Sequence, residues 1–242
     1  MSQEPMNIEE EETRCEEMAT RQLVEELELN AETFDLLTGL FGRISGRVQK
    51  EQLEPYQEAH LRLSARITAD LRIIRVLVSK GYAVQAATIS CSLFEESLNM
   101  WHIGTDNSRG NKWLNHKNKI YPVWSVRSLL EKLKEKTGDD LEPHWRVLCQ
   151  IKHYSPLLGP KFHIKEEYKK IKYHPGPHCN QEHLESKKSI LKLSSLLVRN
   201  VLRGICQSFL KYHISPEKWL EDFKRLDDKI RKLKPIVNRA TS

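Results

Sequence analysis

No stretch of this chain stays apolar for the roughly 20 residues that a membrane-spanning helix requires, so no membrane partner is expected. Met1 to Glu12 is acidic and lacks the apolar core of a secretory leader, which makes a cytoplasmic location the expectation. Glycine and proline are scarce, ten of each in 242 residues. Segments that alternate Val, Ile or Thr with polar residues are hard to find, and both shortages argue against a β-rich fold. Cysteine is sparse as well: Cys15, Cys91, Cys149, Cys179 and Cys206 are odd in number and contain no C-x-x-C pair. Free, mostly buried thiols in a reducing compartment are the expectation, rather than a disulfide framework. What the chain does contain is charge, 30% of residues, beside 39% hydrophobic residues. A core drawn from that mixture must come from amphipathic helices.

The charge is unevenly placed. Residues 1–35 carry twelve Asp or Glu against Arg14 and Arg21, a net of −10, whereas the whole chain is +6, which leaves +16 on the remainder. A body this basic attracts polyanions, anionic lipid or an acidic protein surface through its field. It equally attracts its own acidic end, so charge masking by that end is expected. Residues 1–15 read as a disordered acidic tail, because a run of glutamates repels itself and offers no apolar face.

Helical periodicity organises the rest. Residues 16–29 give a short pattern. Asn30 reads as the N-cap of a better helix bearing Phe34, Leu37, Phe41 and Ile44, with Gly39, Gly42 and Gly46 available for close approach or a kink. Pro55 to Lys80 is long and amphipathic, and Gly81 stands where a C-terminal stop belongs. Tyr82 to Ile103 is the most apolar segment, and the two form an αα-hairpin at the core. Shorter helices follow over 111–119, 123–136 and 141–153. Next comes a Pro-, Gly- and His-rich stretch from Tyr154 to Cys179, then a strong helix over 180–212. Ser215 and Pro216 open a last helix. Its Trp219, Phe223, Leu226, Ile230 and Leu233 recur at coiled-coil spacing, and that stripe is the expected homodimer face. The fold class is therefore all-α, a bundle of six to eight helices over residues 16–213 with a C-terminal amphipathic helix over 214–242.

Several residues carry candidate chemistry. Arg146 and His153 stand seven apart, two helical turns, and so emerge on nearly one face. An imidazole moves protons near neutral pH, and a guanidinium holds phosphate by paired hydrogen bonds. Together they suit metal-independent RNA cleavage, with His153 serving a ribose 2′-hydroxyl and Arg146 the phosphoryl oxygens. The same spacing recurs from Arg109 to His116, so spacing alone selects neither pair. Glu95 and Glu96 lie in the most apolar helix, where an inward-facing carboxylate needs an Arg or His partner from another helix; Glu95 completes the candidate catalytic set. Lys161, Lys165, Lys169, Lys170 and Lys172 interleave with Phe162, Tyr168 and Tyr173, a composition suited to phosphate contacts and base stacking. His174, His178, Cys179 and His183 match no closed zinc spacing, so no metal or other cofactor is expected, and a metal-dependent enzyme at this loop is the third reading.

The stretch Arg66 to Ile103, with Gly81-Tyr-Ala-Val-Gln-Ala and Ser92-Leu-Phe-Glu95, resembles a large family of uncharacterised bacterial helical proteins. Trp145-x-x-Leu-Cys-x-x-x-His153-x-Ser-Pro156 resembles that family's second signature, and the likeness covers about residues 60–190. Those proteins are similar to the HEPN superfamily, whose helical bundles include RNases of toxin–antitoxin and phage-defence systems that use an Arg-x(4–6)-His motif. The resemblance implies an RNA-binding protein or metal-independent ribonuclease in stress or defence, with Arg146 and His153 as its motif pair and a site assembled across a dimer. The alternative from another class is a non-catalytic module whose acidic end and basic body dock a protein partner.

Overall fold

The computed structural model describes residues 7–49, 53–117, 122–138, 140–152, 164–167, 170–173, 177, 183–212 and 216–232. Nine α-helices lie among them, one more than the upper expectation, and they form an all-helical bundle. In chain order they are α1 (Ile8–Gln22), α2 (Val24–Arg47), α3 (Pro55–Ser79), α4 (Ala83–Ile103), α5 (Asn107–Leu114), α6 (Val126–Thr137), α7 (Glu142–Lys152), α8 (Leu184–Ser208) and α9 (Glu217–Lys232). Between α7 and α8 sits a small antiparallel hairpin, β1 (Ile164–Glu167) and β2 (Lys170–Tyr173), with Ile164 opposite Tyr173 and Glu167 opposite Lys170. The hairpin falls in the stretch read as a loop; Ile164, Ile171 and Tyr173 supply the β-branched and aromatic residues that extended backbone favours.

The α3–α4 hairpin is the centre of the bundle, as its periodicity implies. A capping box between Glu54 and Gln57 starts α3 at Pro55. Gly81, at φ 92°, turns the chain back where a side chain would be strained. Ile67, Leu71, Ile74 and Val78 of α3 meet Ala86, Ala87, Leu93 and Phe94 of α4, all at most 1% exposed. Each large aliphatic so buried contributes about 1.5–3 kcal/mol. α8 packs across both through Leu191, Val198 and Leu202, and α2 closes the far side. α5 is set against the start of α3 at Gly110. A Cβ there would stand 2.5 Å from the Tyr56 backbone nitrogen and 2.7 Å from the Pro55 carbonyl carbon.

Several sequence expectations are corrected. Residues 8–15 are helical, not a disordered tail: Glu9, Glu10 and Glu11 occupy the first turn of α1, where the helix dipole favours acids. Cys15 is fully buried in that helix, and it is disulfide-bonded rather than a free thiol. The break between the first two helices falls at Leu23 (φ −121°, ψ 20°). Asn30 is therefore interior to α2, where its Nδ2 donates to Ser194 Oγ at 3.2 Å. Gly42 and Gly46 face open space, with nothing within 4 Å of a built Cβ, so the close approach belongs to Gly110 instead. The Trp219–Leu233 stripe is not a free dimer face over its described part. Trp219, Leu226 and Ile230 are at most 4% exposed, and Trp219 Nε1 donates to the Leu36 carbonyl at 3.1 Å. The stripe binds α9 to α2 within one chain because α2 offers the apolar surface it needs.

Candidate functional site

Of the expected catalytic set, Glu95 lies on α4 at its seam with α7 and Arg146 lies on α7, and no hydrogen bond or ion pair joins the two. Trp145, Leu148 and Cys149 turn toward the core, while Arg146 and Val147 turn to solvent. Arg146 is 67% exposed at its side chain and, among the described residues, is held by Glu142, one turn earlier, at 2.6 Å. Such a solvated pair is worth a few tenths of a kcal/mol, so little free energy holds the guanidinium in that position. Glu95 is half-buried on α4 and reaches α7 through Lys152 at 3.9 Å. Cys91 Sγ lies 3.6 Å from Glu95 Oε1 and 3.7 Å from Cys149 Sγ. Burial pushes both thiols above their ordinary range, which keeps them protonated and poor nucleophiles. His153 lies outside the described residues. On the same helix, burial lowers the affinity of His144 for a proton, leaving a neutral imidazole two residues before Arg146.

The inward-facing carboxylate is Glu96, not Glu95. It is 7% exposed, and the expected cationic partner is Arg66 of α3, whose Nε stands 2.5 Å from Glu96 Oε1. Glu96 Oε2 and Asp70 Oδ2 are buried without hydrogen-bond partners among the described residues. Burial drives the Glu96 carboxyl up to about 8; Arg66 opposes this, whereas Asp70 and Glu95 add to it. Asp70 is raised for the same reason, burial, against the pull of Arg66. One exposed guanidinium thus faces two desolvated acids, and a proton held on Glu96 at neutral pH relieves the excess negative charge.

Two further buried groups escaped the sequence reading. His60 is 1% exposed; its Nε2 is 3.1 Å from the Met100 carbonyl and its Nδ1 2.7 Å from Ser208 Oγ. Because a carbonyl only accepts, Nε2 carries the proton. Burial lowers this imidazole to about 4, so it is a neutral cross-brace between α3, α4 and α8. Its place on the apolar face between Ala59 and Leu63 was the available signal. Lys187 is fully buried in α8, and burial lowers it to about 8.

Charge is sorted by the fold. Acids of α1 and α2 meet bases of the α3–α4 turn, α8 and α9: Glu12 with Lys80 at 2.7 Å, Glu26 with Lys192 at 3.3 Å and Glu32 with Lys229 at 2.6 Å. These pairs tie α1 and α2 to the body, while Glu9, Glu10, Glu17, Glu25 and Glu28 stay exposed. An open groove of about 470 Å³ there is lined by Glu16, Glu28, Arg75, Val76 and Ser79. Residues 101–173 carry fifteen Lys or Arg against eight Asp or Glu, a net of +7. Of the expected phosphate-binding lysines, Lys165 falls on β1 and Lys170 and Lys172 on β2; Lys161 and Lys169 lie outside the described residues. No group of three or more His, Cys, Asp or Glu suited to a metal occurs among the described residues. No helix among them is long and apolar enough to cross a membrane. Comparison of the chain with family models, with curated proteins and with solved structures returns no match.

Proposed function

We propose that this protein is an HEPN-like RNA-binding bundle that cleaves RNA without a metal, in a stress or phage-defence role. The observation that carries the reading is Arg146: an exposed guanidinium held, among the described residues, by one surface carboxylate, within a chain segment of net +7. In the proposed reaction His153 accepts the proton of a ribose 2′-hydroxyl, and the 2′-oxygen attacks the adjacent phosphorus. The bond to the 5′-oxygen breaks, that oxygen takes a proton, and the products are a 2′,3′-cyclic phosphate and a 5′-hydroxyl end. Arg146 stabilises the charge that builds on the phosphoryl oxygens by two parallel N–H bonds. Glu95, tied to Lys152, positions the end of α7 from which His153 follows.

The test is incubation of purified protein with total RNA in EDTA, comparing wild type with Arg146→Ala and His153→Ala. Cleavage by wild type that is lost in both variants is the expected result. A folded wild-type protein that leaves RNA intact overturns the nuclease reading and favours the protein-interaction module, for which the acidic α1–α2 face is the observation in support.

A further inference from the structure

The helical end formed by α4, α5 and α6 combines aromatic rings and cations in a way that neither the catalytic pair nor the hairpin lysines use. Trp101 and His102 close α4, and Trp124 precedes α6. The His102 and Trp124 rings meet edge to face at 4.7 Å between centroids, and the Trp101 ring centroid lies 6.4 Å from that of His102. Each tryptophan carries an ammonium over its face. Lys112 Nζ of α5 stands 5.8 Å from the Trp124 centroid, and Lys136 Nζ of α6 stands 5.7 Å from that of Trp101. Arg109 completes the rim by donating from Nη1 to the His102 carbonyl at 2.8 Å.

Local folding explains why the groups converge. Asp106 caps α5 through the Arg109 backbone N–H, which aims Arg109 and Lys112 back at the end of α4. Ser125 caps α6 and Gly138 ends it in the left-handed region, so Lys132 and Lys136 come off adjacent turns toward the same place. Asp106 is the acid of this cluster, and it shares Arg109 at 3.3 Å. The positive field is visible in His102 itself: burial first, then Arg109, Lys132 and Lys112, lower it to about 4 against the opposing pull of Asp106.

We infer that this Trp101–His102–Trp124 face with Lys112, Lys136 and Arg109 is a docking surface for single-stranded RNA. Both tryptophans are half-buried, and an unpaired base stacks on such a ring once the ammonium over its face moves aside. The ammonium over each ring is placed to move to the phosphate that follows that base. A duplex has no unstacked base to offer. An anionic membrane would call for apolar side chains free to insert, and no strongly exposed large hydrophobic residue is found over the described part of 101–138. The inference rests on the RNA-binding reading and deepens it by separating where RNA is held from where it is cut.

The experiment measures fluorescence anisotropy of a labelled 12-nucleotide oligouridine with the full chain, from 20 to 200 mM NaCl. Lys112→Ala/Lys136→Ala is compared with Lys218→Ala/Lys224→Ala on α9, which removes the same charge elsewhere. The first double variant is expected to bind about tenfold or more weaker, with a salt slope shallower by about 1.4, two single-strand phosphates at about 0.7 each. The α9 pair should resemble wild type. Trp124→Leu should lose affinity by about fivefold or more with the slope unchanged. Circular dichroism confirms that each variant is folded. Equal loss in the two lysine pairs overturns the inference, because it reports net charge rather than a site. So does wild-type binding to phosphatidylserine vesicles with none to oligouridine. Wild type that binds RNA through some other face sinks this inference alone, whereas wild type that binds no RNA at 20 mM NaCl removes the RNA reading as well.

Discussion

Glu96→Gln should make the protein more stable at pH 8 while changing little at pH 5. The native carboxyl is raised by burial to about 8 from an ordinary value of 4.5. Between those two pH values the unfolded chain has released the proton that the native chain still holds. The native state then binds more protons, so stability falls as pH rises across the window and is fully present only below about 4.5. At 1.36 kcal/mol per unit the ceiling on that loss is about 5 kcal/mol. Relaxation around the ionised group, with Arg66 at hand, brings the expected loss to about 2–3 kcal/mol. Glutamine keeps the shape and an oxygen for Arg66 but cannot ionise. The assay is urea unfolding by circular dichroism at pH 5, 6, 7 and 8, reading the difference between variant and wild type. His60 and His102, both lowered to about 4, act in the opposite sense. Their stabilising effect is present above about 6.5 and fades toward 4, and it cancels in the difference. A difference that stays constant from pH 5 to 8, or a wild type that gains on the variant as pH rises, refutes the reasoning.

Three other consequences are open to direct measurement. Two of the ten imidazoles, His60 and His102, should show no proton NMR titration above pH 5, because burial holds both neutral; a midpoint near 6.5 for either would contradict the packing. Gly110→Ala should destabilise by about 2 kcal/mol or more, since the added carbon meets backbone atoms that have no room to yield. Gly42→Ala, with nothing within 4 Å, should stabilise by about 0.5–1 kcal/mol; thermal melts of the two variants moving in the same direction would refute the assignment. Trp219→Ala should cost about 3–5 kcal/mol and loosen α9, seen as faster amide exchange across Glu217–Lys232; a change below 1 kcal/mol would mean the stripe is not part of the core.

Much of the fold was legible because its signals are local. Pro55, Gly81, Gly138 and the apolar periodicity of Pro55–Ser79 and Ala83–Ile103 each act within a few residues, and those boundaries agree with the expectation to within about three positions. The misplaced features depend on distant partners. Asn30 has the chemistry of a cap, yet Ser194, 164 residues away, gives its amide a buried partner. The glutamates of residues 9–12 repel one another in isolation, but Lys80 and Tyr82 of the α3–α4 turn take Glu12 at 2.7 Å each.

The candidate site divides in the same way. The need for a cation opposite Glu95 or Glu96 could be stated from composition, because a carboxylate in an apolar helix must be paired or protonated. Which of the two turns inward, and that Arg66 is the cation, depends on the rotation of α4 against α3. The sequence by itself determined a helical-bundle fold class, its strong helices and its division into an acidic start and a basic remainder, since these follow from residue type and from spacing along one backbone. Only the tertiary structure decided that Glu12, Glu26 and Glu32 of the acidic start pair with Lys80, Lys192 and Lys229, that the described part of the last helix packs on α2, and that Trp101, Trp124, Lys112 and Lys136 converge. Burial and Coulomb energy depend on distances through space, and those distances exist only once the helices have packed.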